Sequence, residues 1–198
     1  MTPEQIEEHN HAFEQAAQLV KGEIITHEHR YAYALSPSAR SRLEQAHQLL
    51  TRVLELNEEN WSAMWFLGKI YQRFGNQLDA FAWFARAHEI NSSQPDIARE
   101  ASVCAMALGR SQEAISYARS ALRAKPSSAG LQANLALAFL LGGKLDDAKR
   151  AIDRVMADGS SDEISESIRG LIVHFITTGK KPPNTTAELQ GYWKQAGS

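Results

Sequence analysis

Metal or acid–base chemistry in this 198-residue chain would fall first to its histidines. His9 and His11 are two residues apart, so on a helix they point to nearly opposite faces and cannot share an ion by themselves. His27-Glu28-His29 differs if its backbone is extended, because alternate side chains then face one way. A metal centre would still need a third ligand and groups that orient the first ones. The only nearby candidates are His9, His11 and Glu14. Ordinary loop polarity accounts for this cluster better than a metal site, and no cofactor is expected. His47, His88 and His174 are scattered and read as helix-surface residues. The single cysteine, Cys104, cannot close an internal disulfide and reads as a small buried hydrophobe.

Other catalytic signatures are missing. The chain has no glycine-rich phosphate loop, no Gly-x-Ser-x-Gly elbow and no zinc-type Cys/His spacing. Gly142-Gly143-Lys144 reads as a helix end. A net charge of −2 argues against nucleic acid as the main ligand. The one basic cluster, Lys180-Lys181, reads as a solvated linker. No apolar run approaches the length of a membrane span. The acidic, helical start does not resemble a secretory signal. These features together predict a cytoplasmic, non-enzymatic protein. The rival is a metal-dependent enzyme built on the N-terminal histidines.

The elements that position these residues repeat. Gly75, Gly109 and Gly143 stand 34 residues apart, as do Ala80, Ala114 and Ala148. The same offset relates Leu67, Ala101 and Leu135, then Gly68, Ser102 and Ala136, then Ala87, Ala121 and Val155. A fixed period of this length marks a helix–turn–helix solenoid. Leu67, Tyr71 and Phe74 recur at helical spacing, and Ala80, Phe84 and Ala87 form a second stripe. Gly75 lies where the first helix must stop, because glycine tolerates the left-handed conformation that ends helices. Gly68 and Ala80 are small where the paired helices cross. The predicted fold is all-α, with repeats at 61–94, 95–128 and 129–162. Pro126 closes the second, because proline cannot continue a helix.

Leu67, Gly68, Tyr71, Gly75, Ala80, Phe84 and Ala87, followed by Pro126, resemble the tetratricopeptide repeat family. They stand where it carries Leu-Gly, aromatic, Gly, Ala, aromatic, Ala and Pro. Ala105 and Ala118 replace the aromatics in the second repeat, and Met64 occupies the family's tryptophan position. The resemblance implies a right-handed α-solenoid whose first helices line a concave groove. Carried over by position, that groove would present Trp65, Lys69, Gln72 and Arg73, then Arg99, Val103 and Met106, then Leu137, Leu140 and Leu141. It would begin aromatic and basic and end as an open apolar strip, the usual mark of a contact. An amphipathic helix is the natural ligand, and tryptophan and arginine often dominate binding energy. Some family members clamp the C-terminal carboxylate of chaperones with a lysine and asparagines. Trp65, Lys69 and Glu100 stand in those places here, so that ligand is not expected.

The flanks supply the ends. Residues 1–60 hold a helix from Thr2 to Lys21, an insert from Gly22 to Leu35, and a helix through Ala46, Leu50 and Val53. This reads as a degenerate repeat split by the insert. Ser36-Pro37 offers a capping serine and a first-turn proline. The Ile24-Ile25 and Tyr31-x-Tyr33 pairs are too apolar for a free loop. Residues 163–198 cap the solenoid. Ile164, Ile168, Leu171, Ile172, Phe175 and Ile176 form one apolar stripe, and a short last helix packs on the final repeat. The predicted function is a protein–protein interaction module, an adaptor or assembly scaffold that takes a partner's peptide or amphipathic helix in the groove. The alternative is a chaperone- or immunity-type protein masking one effector. Three occupants fit the apolar end: a partner helix, the chain's own last helix through Leu189, Tyr192 and Trp193, or a second copy in a homodimer.

Overall fold

A computed structural model describes residues 1–24, 34–159 and 161–196, the last four by backbone alone. Ten helices occur among them, and no strand. They are α1 (Pro3–Val20), α2 (Pro37–Leu56), α3 (Trp61–Arg73), α4 (Gln77–Ile90), α5 (Pro95–Ala107), α6 (Ser111–Ala124), α7 (Ala129–Leu141), α8 (Leu145–Ala157), α9 (Glu163–Thr178) and α10 (Thr186–Ala196). They fall into two compact units, Met1–Asn91 and Ser92–Ser198. Most of the 22–35 insert, including Ile25, Tyr31, Tyr33 and the His27-Glu28-His29 trio, lies outside the described residues.

In the first unit α1 pairs with α2, α3 pairs with α4, and α2 packs on α3. Thr2 and Gln5 form a reciprocal capping box at the start of α1, which satisfies two orphan backbone donors. Ser36 caps α2, with its hydroxyl accepting from the Ala39 N–H at 3.1 Å and Pro37 in the first turn. Gly68 is small for a definite reason. A Cβ built there would lie 2.6 Å from Cε1 of Phe84, a ring wholly buried in the core.

In the second unit α5 pairs with α6 and α7 with α8, while α7 also packs on α5, α6 and α9. The crossing is filled differently here. Ser102 replaces the glycine, and its hydroxyl donates to the Ala114 carbonyl at 2.9 Å and accepts from the Asn134 amide at 3.2 Å.

One stop signal ends three helices. Gly75, Gly109 and Gly143 have φ of 80°, 71° and 70°. The following residues, Asn76, Arg110 and Lys144, donate back to the Tyr71, Ala105 and Phe139 carbonyls at 2.9, 2.8 and 2.9 Å. That is the Schellman pattern, which closes the orphan carbonyls of a helix end.

Two readings of the flanks need correction. Of the stripe expected on α9, Ile168, Leu171, Ile172 and Phe175 are buried, but Ile164 and Ile176 are exposed with Val173. The first lies at the start of the helix and the second on its outward side, so the buried stripe is narrower. His47 is half-buried rather than on the surface. Its Nε2 lies 3.1 Å from the Tyr71 hydroxyl, and burial lowers its pKa.

Candidate functional site

The residues singled out for the groove lie on α3, α5 and α7, the first helices of successive pairs. In the first unit, Trp65 is partly exposed. Its ring meets Phe66 edge-on at 5.2 Å, and Phe66 in turn meets Phe13 of α1 at 5.7 Å. Lys69 Nζ lies 6.0 Å from the Trp65 ring centre, within cation–π range. Lys69, Gln72 and Arg73 are buried, so the basic entrance of the groove is not an open surface. Part of the reason is visible at Arg73, whose Nε donates to the Glu23 carbonyl at 3.2 Å. Arg42 also pairs with the Glu23 carboxylate. The chain leaving α1 is thereby fastened to α2 and to the end of α3.

In the second unit, Arg99 is paired with Glu100 at 2.9 Å and with Asp96 at 3.4 Å. The Glu100 side chain is only 1% exposed, and a buried carboxylate requires such a partner. Val103 and Leu137 are partly exposed. Met106, Leu140 and Leu141 are buried at 1%, 0% and 2% exposure. The continuous open strip expected from sequence is therefore interrupted. Three of its apolar members belong to the core, and Val103 and Leu137 keep access to solvent.

Among the described residues no group of three or more His, Cys, Asp or Glu side chains is placed to hold a metal ion. His9 has a structural role: its Nε2 lies 3.0 Å from the Asn60 amide nitrogen, and Asn60 Oδ1 caps α3 by accepting from the Ala63 N–H. Cys104 is buried. No helix of the described residues is long and apolar enough to cross a membrane.

Some features at the site were not anticipated. Glu23 as a joint partner of Arg42 and Arg73 had no signal in sequence, because the contacts span 19 and 50 residues. The Ser102–Asn134 bond had a weak one, a polar residue in a register otherwise held by Gly68 and Ala136. The last helix does not simply cap the final repeat. It returns to α5, and Tyr192 meets the Phe175 ring at 5.4 Å. Trp193, expected beside it, has no described side chain.

Comparison with known proteins agrees with this architecture. Residues 31–95 and 105–165 each match a family model described as tetratricopeptide repeat. No curated protein matches the chain. Among solved structures, a crystal structure of MamA protein superposes with a TM-score of 0.70 at 16% identity, covering 96% of this chain and 90% of that one. PilF of Pseudomonas aeruginosa gives 0.63 at 15% identity, over 88% and 71%. YrrB, described as a TPR protein with an unusual peptide-binding site, gives 0.59 at 16% identity, over 67% and 72%.

Proposed function

The chain belongs to the tetratricopeptide repeat family, all-α solenoids that act as protein–protein interaction modules, and we propose that it takes a peptide or amphipathic helix of a partner on the inner face of its first helices, as an adaptor or assembly scaffold. One observation carries this reading. Val103 on α5 and Leu137 on α7 stand one repeat apart on helices that pack together, and both remain partly open while their neighbours Met106, Leu140 and Leu141 are sealed. Half-open apolar side chains in one register on adjacent helices form a shallow strip suited to the apolar side of a helix. Within the first unit taken by itself, Trp65, with Lys69 over its ring, is an aromatic residue of the type that anchors a ligand. The peptide-binding site named for YrrB is a fold-level analogy. The module is non-enzymatic in this account and works in the cytoplasm, a compartment in keeping with a single, buried cysteine, Cys104.

The test is capture of a partner from native extract by wild type and by Val103→Asp/Leu137→Asp, with both proteins first shown to melt alike. A protein held one-to-one by wild type and lost by the variant supports the groove. A partner held equally by both moves the binding surface elsewhere. A wild-type dimer that the variant abolishes would assign the strip to a second copy.

A further inference from the structure

The segment after α9 comes back to α5 of the second unit. Gly179 ends α9 in the left-handed conformation, and Lys180-Lys181-Pro182-Pro183 follow. Thr185 then arrives beside Gly109, just past the end of α5. A Cβ built on Gly109 would lie 3.4 Å from Thr185 Cγ2 and 3.9 Å from the Asn184 carbonyl oxygen. From there α10 packs on α5, and Tyr192 reaches Phe175 of α9. Between those anchors stands α7, which packs on both α5 and α9 and is covered on its other side by α6 and α8. A helix that starts beside Gly109 and meets Phe175 further along therefore runs past the C-terminal end of α7, where Leu140 and Leu141 are sealed. Phe175 lies one 34-residue period after Leu141, in the same inner register.

We propose that α10 is a built-in occupant of the ligand groove, and that the external partner is an amphipathic helix carrying a leucine and an aromatic three residues later, which displaces α10 in order to bind. This rests on the groove reading given above. The chemistry of the partner is read from the segment already seated there. Leu189 is completely buried, and Tyr192 stacks edge-on against Phe175. Glu188, Gln190 and Gly191 face solvent. Displacement costs α10 little of its own structure because it brings its own start with it. The Glu188 N–H donates to Thr185 Oγ1 at 3.2 Å, and the Asn184 N–H donates to the Glu188 carboxylate at 3.0 Å. These bonds are internal to the segment and survive its departure. Only Leu189 is fully buried along residues 184–192, so the segment is held at one main point.

The experiment uses the full chain and a fluorescein-labelled peptide of residues 184–198, with binding followed by anisotropy. If α10 fills the groove about nine-tenths of the time, it weakens the apparent affinity of a competitor about tenfold. Leu189→Asp in the full chain should therefore bind the peptide about tenfold more tightly than wild type. Tyr192→Ala should shift binding in the same direction, and serves if Leu189→Asp fails to fold. A peptide carrying Leu189→Asp should not bind. Adding Leu137→Asp to the full-length Leu189→Asp chain should abolish the gain. Equal peptide affinity for wild type and a folded tail variant would overturn the proposal, as would retention of binding by the Leu137→Asp double variant. Peptide capture that behaves as expected, alongside a partner indifferent to Val103→Asp/Leu137→Asp, would refute the external-ligand reading alone. Dimers formed when wild type is mixed with Leu189→Asp would make a second copy the displacing helix and overturn the assignment to an external partner.

Discussion

Gly68→Ala sets two opposing effects against each other at one atom. In an exposed helix interior, alanine is favoured over glycine by about 1 kcal/mol. At Gly68 the added methyl would lie 2.6, 2.7 and 2.8 Å from three carbons of the Phe84 ring. Carbon contacts ordinarily settle at about 3.5–4.0 Å. Phe84 is completely buried, so the ring has no solvent to swing into. Either α3 and α4 separate or the ring leaves its rotamer. Overpacking of this kind costs about 1–3 kcal/mol. Net of the propensity gain, a loss of about 1 kcal/mol is expected. Gly170→Ala on α9 is the control. Its Cβ would meet nothing within 4 Å, and it should gain up to about 1 kcal/mol. Thermal melts followed by circular dichroism should move in opposite directions, by about 2–4 °C each for a chain of this size. Phe84→Leu added to Gly68→Ala should relieve the clash, giving a coupling above about 0.5 kcal/mol in a double-mutant cycle. If Gly68→Ala stabilises as Gly170→Ala does, or if the cycle is additive, the close crossing is not what selects glycine.

Ser102→Ala removes a hydroxyl that joins the Ala114 carbonyl to the Asn134 amide. It should cost about 1–2 kcal/mol, read as a lower urea midpoint at unchanged slope. Asp162 caps α9 by accepting from the Ser165 N–H at 2.7 Å, and that bond holds its carboxyl below the ordinary value. Its contribution is full above the unfolded value near 3.8 and is lost as the pH falls through the lower folded value. Asp162→Ala should therefore cost about 1 kcal/mol at neutral pH, with the gap to wild type closing in acid. Burial lowers the pKa of His47, so the folded state favours the neutral ring. Stability should be full above the unfolded value of 6.5 and fall as the pH drops below it. His47→Gln should flatten that slope in urea titrations between about pH 7.5 and 5.5.

The helices were legible because their signals are local. Gly75, Gly109 and Gly143 end helices through their own backbone freedom, and Thr2 and Ser36 start them with their own side chains. The inner surface was less legible because its exposure is set from a distance. Carried over by position, Lys69, Gln72 and Arg73 faced an open groove, yet all three are buried, and Arg73 is held by a carbonyl 50 residues away. Met106, Leu140 and Leu141 sit at positions where helical periodicity alone does not separate a core-facing side chain from one at the groove's edge. Only the packing of α5, α7 and α9 on one another decides that. The return of α10 to α5 had no local signal either. Residues 186–192 show an apolar pair but nothing that says which helix it meets.

The repeat also explains why its inner face is free to vary. At the crossing, the register pairs Gly68 with Phe84, Ser102 with Ala118 and Ala136 with Ile152. All six are buried. A large ring stands against no side chain, a hydroxyl against a methyl, and a methyl against a branched chain. The pairs differ in total size, with Ser102 and Ala118 the smallest, so the second crossing needs more than these two side chains to close it. There Ser102 ties the two helices by its bond to the Ala114 carbonyl of the opposite helix. The inner register obeys no such pairing. Trp65, Arg99 and Ala133 share one position of the period, and Lys69, Val103 and Leu137 share another. Their identity is not dictated by the crossing that holds each helix pair together. In the second unit Val103, Leu137 and Leu171 make that register apolar three times running. An apolar register suits an apolar occupant, and on the proposal above the chain offers its own in buried Leu189 of α10. On that proposal, a partner for this face would present a similar apolar side chain in a helical setting.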